Sequence, residues 1–155
     1  MTLAQQTAKH FRDVHFGGNW TCVNLKTTLE NVTWQQATQK IEDLNTIAAL
    51  VYHVNYYVSA VLKVLQGGAL EAHDKFSFDV PEITSEEQWQ QLVNKALTEA
   101  EQFANETEKL EDSVFFQDFT DAKYGSYFRN LHGIIEHTHY HLGQVTILKK
   151  LVVNK

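Results

Sequence analysis

Residues 45–66, NTIAALVYHVNYYVSAVLKVLQ, decide the fold. Ile47, Leu50, Val51, Val54, Val58, Val61, Leu62 and Leu65 recur at helical spacing. No glycine or proline interrupts the run, and Gly67-Gly68 follows it, as glycine does at a helix terminus. The spacing predicts one long amphipathic helix whose apolar face must be covered by other helices. Proline occurs once in the whole chain, at Pro81, and glycine seven times, which is sparse for a β-rich protein. The chain therefore reads as all-α.

Working outward, a last long helix is expected over residues 126–151 and a third over 85–110. Ser85 with Gln88 resembles a capping box at the start of the latter. A first helical region covers residues 3–32, interrupted at Gly17-Gly18, and Asn19 is placed to cap its second part, which carries Trp20, Val23, Leu25 and Leu29. A short helical segment follows over residues 33–41. Two long connections remain, residues 69–84 and 111–124, the second with an extended piece at VFFQDF. The first contains Phe76 and Phe78, and hiding those rings is reason enough for it to pack across the helices; forming the wall of a pocket is a second role open to it. Four principal helices with two long crossings point to a helix bundle in a single domain, residues 1–155.

The 155 residues are 43% hydrophobic, enough for one sizeable core. The net charge is −6 with both signs interspersed, so no basic stripe marks a nucleic-acid partner. The single cysteine, Cys22, excludes an intramolecular disulfide and is expected to be a small buried hydrophobe. The first residues are too polar for a signal peptide, and no apolar run reaches the roughly 20 residues of a membrane span. A soluble, cytoplasmic protein without membrane contacts is expected.

Four of the eight histidines fall in HGIIEHTHYHLGQ, residues 132–144. At about 100° per residue, His137 and His141 lie about 40° apart, flanking the apolar stripe of Leu131, Ile134, Ile135, Leu142, Val145 and Leu148. His132 and His139 share a nearly opposite side. Two imidazoles one helical turn apart can bridge a divalent ion, although such pairs also occur on solvated faces. A third ligand would have to come from another helix. His53, at the edge of the 45–66 apolar face, is placed to supply it; a core-edge histidine bonded to a carbonyl is the plainer reading. Three histidines with an open position form the donor set of a catalytic zinc centre. Glu136-x-x-His139 matches the ExxH element of di-iron bundles, but no second ExxH is present. His10, His15 and His73 are isolated and read as surface or loop histidines.

The histidine of NTIAALVYHV together with the late EHTHYHLGQ resembles the DinB-like superfamily. HFGGNW, DKFSFDVPEITSEEQW and YFRNLHGIIEHTHYHLGQ are similar to a DinB/YfiT-like branch of that superfamily, so the resemblance runs along essentially the whole chain. It implies a four-helix bundle with an up-down-down-up path, often a homodimer. It also implies one divalent ion, zinc or nickel, held by three histidines that map onto His53, His137 and His141. Relatives with known activities include thiol-dependent enzymes, among them bacillithiol S-transferases and a mycothiol-dependent maleylpyruvate isomerase. A metal-dependent enzyme acting on a small molecule, by transfer of a low-molecular-weight thiol co-substrate or by hydrolysis, is the expectation. The alternative is a non-catalytic metal-binding bundle with a structural or sensing role. No general base is apparent, since Glu136 projects away from the metal pair.

Overall fold

The computed structural model describes residues 1–153 and is all-helical: six α-helices and no strand among the described residues. These are α1 (Leu3–Phe16), α2 (Leu25–Leu29), α3 (Trp34–Thr38), α4 (Ile47–Leu65), α5 (Glu86–Glu108) and α6 (Tyr127–Val153). The four long helices close a ring, in which α1 lies on α5, α5 on α4, α4 on α6 and α6 on α1. The apolar face of residues 45–66 finds its cover here, with Ile47, Leu50, Val51, Val58, Val61 and Leu62 all in the core. By length and mean hydropathy α4 could cross a membrane, but 67% of its apolar window is buried inside the protein. A core helix needs that composition.

Local chemistry sets the helix ends. Thr46 accepts from the Ala49 amide at the start of α4, and Thr2 and Gln5 form a reciprocal capping box on α1. Asp112, in the crossing before α6, accepts from the Leu3 and Ala4 amides and places a carboxylate at the positive end of α1. Ser85 caps α5 as expected, but Gln88 turns its oxygen to the Thr84 amide, so the box is only half closed. Arg12 then ties α1 to α5, donating to Glu101, Glu108 and Asn105. A second polar seam joins α4 to α5, where Glu99 accepts from Asn55, Ser59 and Lys95.

Four expectations need correction. The helical region over residues 3–32 does not resume at Asn19. Gly17 and Gly18 take φ of 116° and 104°, and Asn19 spends its side chain inside the loop, donating to the Asp13 and Val23 carbonyls and accepting from Thr21. Helix returns only at α2, capped by Asn24, and Trp20 is left fully exposed. Cys22 is exposed rather than buried, because the turn that begins at Asn19 sets it at φ 55° on the outside of the loop. The first half of VFFQDF, Val114 to Phe116, belongs to a 3-10 turn, Asp112–Phe116, and the segment's extended character shrinks to one bridge between Asp118 and Ser126.

His15 is likewise no surface residue. It is 1% exposed on α1, its Nδ1 bonded to the Phe11 carbonyl and its ring against Phe11. Burial pushes its pKa from the ordinary 6.5 down to about 4. As the pH falls below 6.5 the unfolded chain takes this proton first, so the stability His15 contributes is complete above 6.5 and drains toward pH 4. That loss is on the order of 3 kcal/mol. Urea titrations at pH 7 and pH 4.5 are expected to show a smaller acid-induced drop for His15→Leu than for the parent chain; equal drops would mean that His15 is already protonated in the fold.

Candidate metal centre

α4 and α6 face each other along the ring, and their contact brings His53, His137 and His141 together. Each offers one ring nitrogen, and these three atoms lie within 4.8 Å of one another. The closest approach, His137 Nε2 to His53 Nε2, is 3.0 Å. Two nitrogens at about 2.0–2.1 Å from one tetrahedral ion stand roughly 3.3 Å apart, so this pair already has the needed spacing. His53 and His141 are buried and His137 half-buried. The inward pair read from the helical wheel is the pair that meets α4.

The outer ring nitrogens orient the site. His53 Nδ1 lies 3.2 Å from the Ser77 carbonyl oxygen, and His141 Nδ1 lies 2.7 Å from Gln144 Oε1. Both partners are acceptors, so each Nδ1 carries the proton and each Nε2 keeps its lone pair for the cluster. This is how metal-ligating histidines are commonly held, by a second partner that fixes tautomer and ring angle. The plainer expectation for His53, a histidine bonded to a carbonyl, is met by the same contact, and the two readings turn out to be compatible.

Burial, reinforced by the neighbouring imidazoles, lowers the pKa of His137 from 6.5 to about 4. Burial also lowers that of His53, with His141 adding to it and the Ser77 bond and Asp74 opposing. The neutral imidazole is the form that binds metal. Three histidine nitrogens within 4.8 Å of one another, with His53 and His137 favoured in the neutral form by burial, therefore fit a divalent ion by donor chemistry and by spacing. No fourth histidine, cysteine or carboxylate joins the cluster among the described residues.

The 69–84 connection does reach the site. Beyond Ser77, Phe78 stacks on the His53 ring at 3.9 Å and 10°, half-exposed, with one face covering the imidazole. Tyr57 stands edge-on to both His53 and His137, and its hydroxyl donates to Asp74 at 2.9 Å. Beside His137, Tyr57 and Asp74 opens a cleft of about 480 Å³ that runs along α6 toward Arg129. A hollow of similar size, about 510 Å³ between α4, α5 and Pro81, has none of the three histidines in its wall.

The other histidines stay outside. His139 lies across from His10, with ring centroids 6.0 Å apart, and His132 stacks on Phe128. His73 is exposed. Glu136 is exposed on the rim of the cleft. Phe78 lies in the connection expected either to hide its rings or to wall a pocket, and it covers His53; Gln144, Ser77 and Tyr57 carry no such expectation from the sequence. Gln144 had a signal, because position i+3 from His141 lies on the neighbouring turn. Ser77 had none, since its role rests on where a loop carbonyl lands.

In comparisons with family models, with curated proteins and with solved structures, nothing matches this chain.

Proposed function

We propose that this chain is a divalent-metal-binding protein of the DinB-like four-helix type, and that it is an enzyme acting on a small molecule by thiol transfer or by hydrolysis. The observation that carries the reading is the convergence of His53, His137 and His141 with two outer nitrogens already committed to oxygen acceptors. The ring of four long helices and the placement of the three histidines on α4 and α6 support the family assignment. A zinc or nickel ion held there would make a water or thiol that joins it more acidic. A closed structural zinc site uses four protein ligands, and the three-histidine set favours chemistry over a purely structural role.

The chain's own residues would then do the rest. Phe78 shields His53 from water on one side, and Ser77 and Gln144 hold two of the rings. Tyr57, fixed by Asp74, offers a polar edge at the head of the cleft. The test is turnover by zinc- or nickel-loaded protein, using small thiols with an activated aryl chloride in one arm and p-nitrophenyl acetate in the other. Metal-dependent turnover in one arm, lost in His137→Ala, is expected. Stoichiometric metal with background rates in both arms would leave the metal centre standing and remove the proposed chemistry.

A further inference from the structure

The geometry points to the class of molecule this cleft accepts: an elongated carboxylate, its anionic end on Arg129 and its other end at His137. The identification of His137 with a metal centre is needed only to say which end reacts. Arg129, Gly133 and His137 follow one another by single turns along α6, and all three line the cleft. Eight residues of helix span about 12 Å. A glycine inside a long helix is unfavourable to the helix itself. Packing does not demand it here, because a Cβ at Gly133 would meet no atom within 4 Å. The missing side chain instead leaves the floor of the cleft open between the two functional ends.

Arg129 is held in place but its charge is unanswered. Its Nη1 donates to the Tyr124 carbonyl at 2.9 Å, and the same carbonyl accepts from Asn130 at 3.0 Å. Arg129 forms no ion pair among the described residues, and its Nε–Nη2 edge makes no hydrogen bond there. Two parallel N–H donors on a planar fork match a carboxylate. Leu70 and Ile134 give the middle of the cleft an apolar lining. At the His137 end, Asp74 and Glu136 contribute negative charge, which repels an anion and sets the direction of binding. One arginine opposite two carboxylates suits a singly charged carboxylate better than a phosphate.

The test titrates the full chain, metal-free and zinc-loaded, with 4-phenylbutyrate and with the matching alcohol, following backbone amides by NMR. The carboxylate is expected to perturb residues 129–137 and to bind about tenfold tighter than the alcohol, as a charge-assisted contact should. Arg129→Gln should abolish that preference, and Gly133→Leu should weaken both ligands, with circular dichroism checking that the helix survives. Equal binding of acid and alcohol, or a preference that outlives Arg129→Gln, would overturn the assignment. The metal-free arm separates the two readings: a preference without zinc uptake keeps the cleft and sinks the metal centre, and zinc uptake without a preference does the reverse.

Discussion

Divalent metal, measured by elemental analysis after loading and desalting, is expected at close to one ion per chain and to fall near zero in His141→Ala. His139→Ala should keep it. The two residues are neighbours on α6, yet only His141 shares a cluster with His53 and His137, while His139 lies across from His10. Removing one of three nitrogens leaves two ligands, too few to outcompete a desalting column, whereas a general loss of imidazole content would affect both variants alike. Gln144→Leu adds a graded test. It deletes the acceptor that fixes the His141 tautomer and ring angle without touching a ligand. Loss of such a partner typically weakens metal affinity by about 10–100-fold. Zinc titration against a competing chelator should place Gln144→Leu between the parent and His141→Ala. Equal metal content in His141→Ala and His139→Ala would show that the ion, if bound, sits elsewhere.

The parts of this structure legible from sequence are those governed by a helix's own periodicity. Residues 45–66 are helical because an apolar stripe without breakers has few other solutions, and α4 spans Ile47–Leu65. His137 and His141 separate from His132 and His139 because position around a helix follows from residue number alone. What stayed hidden depends on where the chain goes after a helix ends. Asn19 and Asn24 are equally good caps by residue type; the left-handed pair Gly17-Gly18 and the bonds that Asn19 makes to both sides of its loop decide for Asn24. His15 is buried by the neighbours of α1, and no local pattern marks a histidine that replaces a core hydrophobe. Ser77 and Phe78 reach His53 across 24 and 25 residues of sequence, through a connection with a single short 3-10 turn to betray its course.

Trp89→Ala is expected to cost about 4 kcal/mol, among the largest single losses the fold can show, without changing metal stoichiometry in the folded protein. Trp89 is 0% exposed on α5, and its indole Nε1–H donates to the Val32 carbonyl at 2.8 Å. Alanine would leave a cavity and also strand that buried carbonyl. Trp89→Phe separates the two costs, since it keeps most of the volume and loses the bond, for about 1–2 kcal/mol. Thermal unfolding should register the alanine change as a fall of about 8–16 °C in Tm for a domain this size. The same contact explains why the effect should be structural. Val32 ends the segment that follows α2, so the indole fastens the α2–α3 region to α5, and α5 carries none of the three histidines. Below its lowered Tm, Trp89→Ala should therefore bind zinc like the parent. A variant that keeps its Tm but loses zinc would mean that Trp89 supports the metal site directly, and that α5 is coupled to the α4–α6 contact through more than the shared core.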